Sequence, residues 1–125
     1  MRIRSLVVGA MLCALPFGAL AQDASPEGVW RDEFGTIFDI SLCGSGTDLC
    51  AILVDVQGKS RTEQNLAYVN QQVLQAEQTA EHEWKGSVIY NGSEAGATVS
   101  QNSPDSLSIT GCRVILCQTL VFNRM

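Results

Sequence analysis

Short runs in which apolar and polar residues alternate, each bounded by turn chemistry, fill most of the chain downstream of residue 27. A period of two is the mark of strands that bury one face. Residues 28–34 predict a first strand, ended by Gly35, and 36–43 a second, with Phe38, Ile40 and Leu42 on one face and Asp39 and Ser41 on the other. The cluster Gly44-Ser45-Gly46-Thr47-Asp48 turns the chain, and 49–56 returns as a third strand before a polar loop over 57–62. Residues 84–90 place Trp84, Gly86, Val88 and Tyr90 on one face, and Asn91-Gly92 then has the composition of a two-residue hairpin turn. Strands over 96–101, 106–112 and 116–123 complete the series, with a turn at 102–105 between the first two.

The stretch 63–83 breaks this rhythm. Leu66, Val69, Val73 and Ala76 recur at helical spacing among good helix formers, with no evident cap at either end. A short helical turn near residues 63–69 followed by a strand over 71–76 reconciles the segment with a sheet. β-Branched and aromatic residues gather at 68–73, and a closed barrel needs that strand. The pattern therefore predicts an all-β domain: a single eight-stranded antiparallel up-and-down barrel.

The first residues belong to a different pattern. Arg2 and Arg4 precede an apolar run that Pro16 and Gly18 break, and Ala19-Leu20-Ala21 has the small-x-small form that signal peptidase reads. Residues 1–21 are expected to be a signal peptide, 22–27 a frayed linker and 28–125 the one domain, with Cys13 lost along with the leader and no transmembrane segment left after cleavage. The chain carries 8 basic and 13 acidic side chains, net −5; without Arg2 and Arg4 the balance falls to −7. That sign argues against nucleic acid as a partner.

The four remaining cysteines form two tight pairs, and after an export signal they read as disulfides in a periplasmic or secreted protein. Long-range bridges would constrain the unfolded chain more, but sulfurs must approach across neighbouring strands, and hairpins guarantee that proximity. Cys43 facing Cys50 sets Leu42 against Ala51 and Ile40 against Leu53. Cys112 facing Cys117 sets Ile109 against Leu120, Leu107 against Phe122 and Thr110 against Thr119. In both hairpins the cystine falls on the face opposite the larger apolar residues, outside the barrel. A metal reading fares worse, because zinc pairs usually stand two to four residues apart and these have six and four between them. Lone His82, between Glu81 and Glu83, adds no ligand set.

Catalytic chemistry is not legible. Asp39 and Asp55 fall on opposite faces of their hairpin in this register, so they do not converge on one substrate. The chain has no Gly-x-Ser-x-Gly, phosphate-cradling glycine loop, Cys-x-x-Cys, or nucleophile beside a histidine. Asn91-Gly92-Ser93 fits a glycosylation acceptor but better serves the turn. No cofactor is implied. Gly28-Val29-Trp30 in the first strand and Arg124 at the end of the last instead suggest a structural device of calycin-type barrels, an arginine laid over a tryptophan to close one end.

Trp30 after Gly28, the run from Cys43 to Cys50, Asn65, Trp84-Lys85-Gly86-Ser87-Val88, and the ending from Gly111-Cys112 through Cys117-Gln118-Thr119 to Arg124 together resemble the small exported bacterial proteins of the domain of unknown function 2147 family. The resemblance implies a calycin-like, lipocalin-like barrel in the periplasm or outside the cell, and it implies no activity. Many relatives carry an aspartate before the asparagine matching Asn65 and a tryptophan near the last arginine; here Thr62 or Glu63 and Phe122 stand in those places.

Two roles follow, neither enzymatic. The first is a structural or partner-binding protein of the cell envelope, dimerising or docking through an outward stripe of Ile52, Val54 and Val56. The second is a binding module for a small apolar or amphipathic ligand inside the barrel, with Phe38, Ile40, Leu53, Trp84, Tyr90 and Phe122 as candidate lining. The first is favoured, because inward residues in so small a domain readily fill the interior as core.

Overall fold

A computed structural model describes residues 24–125. The expected signal peptide, 1–21, and its cleavage site therefore lie outside the described residues, which take in 24–27 of the expected linker. Eight strands follow one another in chain order: β1 (Gly28–Asp32), β2 (Thr36–Cys43), β3 (Asp48–Val56), β4 (Gln72–Ala80), β5 (Glu83–Tyr90), β6 (Ser93–Ser103), β7 (Ser106–Arg113) and β8 (Leu116–Arg124). Each pairs antiparallel with the next, and β8 returns to β1, so the sheet is a closed barrel with no free edge. Among the described residues no helix is long and apolar enough to cross a membrane.

The segment 57–71 resolves the conflict between helical spacing and sheet. A 3-10 turn at Gly58–Ser60 leads into a one-turn helix, α1 (Glu63–Leu66). That helix has the cap that the sequence reading lacked: Thr62 accepts a hydrogen bond from the Asn65 amide at 3.1 Å. Asn65 then donates to the Ser60 carbonyl and to Asn91 Oδ1, fixing this connection to the β5–β6 turn. The fourth strand runs four residues beyond its predicted end, because its hairpin partner β5 continues the ladder from Val88 to Glu83.

The two cysteine hairpins differ. In the second, Cys112 stands opposite Cys117, and Ile109–Leu120, Leu107–Phe122 and Thr110–Thr119 pair as predicted. In the first, Cys43 faces Asp48 and the bridge to Cys50 is diagonal, with Cα atoms 6.0 Å apart against 4.0 Å in the second. Ile40 therefore opposes Ala51, and Phe38 opposes Leu53. A two-residue slip preserves the face of every side chain. What changes faces is a β-bulge: the register shifts between Ile37 and Phe38, leaving Val54 as the extra residue on β3. Beyond it Val56 turns inward and is fully buried, whereas the alternation placed it on the outer stripe. Asp55 comes opposite Ile37 and so shares a face with Asp39, reversing the prediction for that pair.

Trp30, Leu49, Val56, Val99 and Leu107 are fully buried, and Phe38 stacks on Phe122 with ring centroids 5.0 Å apart. Leu42, predicted inward, lies at the end of its strand and is exposed.

Candidate functional site

One end of the barrel is closed by Trp30 and Arg124. They face each other across β1 and β8, with the guanidinium carbon 4.4 Å from the indole centroid. Arg124 donates to the carbonyls of Ser25, Glu27 and Pro104 and pairs with Asp105 at 3.5 Å. The indole N–H of Trp30 donates to the Pro26 carbonyl. Residues 25–27, read from sequence as a frayed linker, are thus folded over this end, and Pro26 is buried. The close approach explains Gly28: a Cβ there would stand 2.6 Å from Arg124 Nη1, on a backbone with φ +138°. Trp84 belongs to the same end, where its N–H donates to the Thr47 carbonyl. Gln101 is buried nearby on β6, and neither of its side-chain polar atoms has a partner.

The other end is open. A cavity of about 520 Å³ runs into the barrel from the turns that follow β1, β3, β5 and β7. The stacked pair Phe38 and Phe122 forms its floor; Leu53, Val88, Ala95 and Ile109 line its walls; Tyr90 and Arg113 stand at the mouth. Its width has a simple origin. The facing inward pairs of β6 and β7 shrink toward the mouth, from Gln101–Leu107 through Val99–Ile109 to Ala97–Gly111. The rim is braced by hydrogen bonds: the Tyr90 hydroxyl donates to Gln118, and Arg113 donates to the Tyr90 carbonyl.

Of the candidate lining residues, Phe38, Leu53, Tyr90 and Phe122 reach this cavity. Ile40 and Trp84 do not, because both are spent as packing in the closed half. The cystines stand apart from it except at the edge, where Cys117 touches the lining. Ile52 and Val54 remain exposed, but without Val56 they are two scattered side chains rather than a stripe.

The sequence reading missed Asp32. It ends β1 with a side chain only 3% exposed and lines the cavity beside Thr36, Ser60 and Phe122. Its Oδ1 accepts the amides of Phe34 (3.0 Å) and Thr36 (2.8 Å), and its Oδ2 is buried with no partner. An aspartate just ahead of a glycine turn looks like an ordinary surface turn residue, although the alternation of the predicted strand 28–34 puts it on the same face as Trp30. Among the described residues no group of His, Cys, Asp and Glu is arranged to hold a metal ion. No family model, curated protein or solved structure matches the chain.

Proposed function

We propose that this chain is a non-catalytic, exported barrel, periplasmic or secreted and related to the domain of unknown function 2147 family, that holds a small amphipathic molecule in its open half. The observation that carries this reading is the cavity of about 520 Å³, walled by apolar side chains and closed beneath by the Phe38–Phe122 stack. Its size falls within the range usual for small-molecule sites, roughly 300–1,000 Å³. The two disulfides suit an oxidising compartment and stiffen the scaffold without touching the cavity floor. The ligand reading thereby overtakes the docking one. Inward residues do fill the barrel at one end, but at the other they are too small to do so.

N-Phenyl-1-naphthylamine, a neutral apolar fluorophore, tests this directly. We expect saturable, one-to-one fluorescence enhancement with the native protein, and its loss in Ala95→Leu, which adds volume to the cavity wall without disturbing the closed half. Enhancement that does not saturate, or that Ala95→Leu leaves intact, would rule the site out. Native mass spectrometry of protein purified without refolding supplies a second readout, as a stoichiometric small-molecule adduct.

A further inference from the structure

Asp32 is more than a turn residue. The β1–β2 turn uses one carboxylate oxygen, Oδ1, which takes the amides of Phe34 and Thr36. An asparagine or serine would serve that turn without burying a charge. The second oxygen is withdrawn from solvent and has no partner, and Asp32 belongs to the lining of an apolar cavity. An unpaired buried polar group costs roughly 1–3 kcal/mol, and more when charged. The protein offers nothing to offset this. No protein donor lies within hydrogen-bond distance of Oδ2, and the Thr36 and Ser60 hydroxyls, which also line the cavity, pair with each other. Among the described residues no basic side chain lies within ion-pair distance of Asp32; the ion pairs present are Arg124–Asp105 and His82–Glu81.

We infer that Asp32 Oδ2 is the anchor for the polar head of the ligand, and that the head is a primary ammonium group carried on an apolar tail. This rests on the binding role proposed above and specifies its chemistry. The missing partner has to donate a hydrogen bond, approach from inside the cavity and compensate a carboxylate. An ammonium does all three, with charge-assisted bonds about twice as strong as neutral ones. The acidic balance of the chain, net −5, favours a cation entering the barrel. The tail would lie along Val88, Ala95 and Ile109 toward the mouth. A carboxylate ligand would have to sit the other way round, its head among Lys59 and Arg113 at the rim. Arg113 is already engaged with the Tyr90 carbonyl, and Asp32 would still be unpaired beneath such a ligand.

Three probes with one tail separate these arrangements: octylammonium, octan-1-ol and octanoate, measured by calorimetry at pH 7. Octylammonium is expected to bind at least about tenfold tighter than either of the others. Asp32→Asn keeps an oxygen for the turn but presents an amide NH₂ to the cavity, so it should erase the ammonium preference while leaving octanol within about threefold of its original affinity, as only the charge-assisted bond is lost. An ammonium no tighter than octanoate, or a preference that survives Asp32→Asn, overturns the assignment and leaves Oδ2 to water alone. The order of the three probes on the unaltered protein decides the matter even if the variant folds poorly. Should N-phenyl-1-naphthylamine bind while the ammonium shows no preference, only the head-group assignment falls. If neither it nor any of the three binds, the cavity reading falls with it.

Discussion

The two ends of this barrel share every strand and the same inward–outward alternation, yet one is a packed core and the other a cavity. At the closed end Trp30, Trp84, Leu49 and Leu107 are almost wholly buried, and Arg124 and residues 25–27 seal what the side chains leave. Toward the mouth the inward positions become Val88, Ala95, Ala97 and Gly111, and the same diameter is no longer filled. A closed sheet sets the width of its interior through strand number and tilt. Whether that width becomes core or binding site is decided by side-chain volume, position by position along each strand.

The largest test of this contrast is truncation of one large residue from each end. Trp30→Ala should cost about 4 kcal/mol or more, combining a deleted core aromatic with the lost guanidinium stack. Leu120→Ala, near the open end and only partly buried, should cost about 1 kcal/mol, since its removal enlarges a space that already exists. Urea unfolding with both disulfides intact measures both. Equal losses would mean that the open end contributes as much packing as the closed one.

A second test uses two glycines on a single row of paired residues, Ala76–Gly86–Ala97–Gly111. At Gly86 a Cβ would stand 2.5 Å from Ala76 Cα and closer still to the Gln75 carbonyl oxygen, and backbone atoms cannot step aside. At Gly111 the nearest atoms, Val88 Cγ1 and Ala95 Cβ, would be 3.8 and 3.9 Å away, an ordinary contact. Gly86→Ala should therefore destabilise by about 2–3 kcal/mol, while Gly111→Ala should stabilise by about 0.5–1 kcal/mol through reduced chain entropy. Opposite signs in thermal unfolding are the expected outcome; a loss at both positions would show that the open half is as tightly packed as the closed one.

These same residues show what was legible beforehand. The eight strands could be read because alternation and turn chemistry agree almost everywhere. The second cysteine hairpin could be placed to the residue, because only Val114 and Ile115 separate its paired ends. The first slipped by two because a longer glycine-rich turn let Cys50 reach Cys43 diagonally. The bulge at Val54 left almost no trace: residues 49–54 and Val56 are all apolar and Asp55 alone is polar, so there is no alternation there for a bulge to break. The taper was present in the sequence, as Val99, Ala97, Ala95 on one strand and Leu107, Ile109, Gly111 on the next. It becomes a cavity only when the register sets the small residues side by side. Asp32 was marked only by sharing a face with Trp30, and its turn chemistry masked that, since Phe122, the neighbour that covers it, lies ninety positions away in the sequence.

The smallest expected effect concerns the rim itself, where two hairpin turns stand in contrast. Asn91-Gly92 has positive φ at both positions, 49° and 80°, with the residues that such a turn prefers. Val114-Ile115 places a β-branched side chain at φ 55°, a region where such residues are strained. Val114 is 100% exposed, so no packing offsets that strain within the monomer. The Cys112–Cys117 bridge holds the turn shut regardless. Val114→Gly should therefore stabilise by about 0.5–1 kcal/mol, because glycine adopts positive φ freely. Its usual entropic penalty is reduced here, since the bridge already confines this loop in the unfolded chain. In calorimetry a gain of about 1 kcal/mol would appear as a rise of about 4–8 °C in Tm for a domain of this size. An unchanged or lowered Tm would mean that the strain at Val114 is offset by something outside the isolated barrel, and the exposed run Val114-Ile115-Leu116, beside the mouth of the cavity, would then be the first place to look for it.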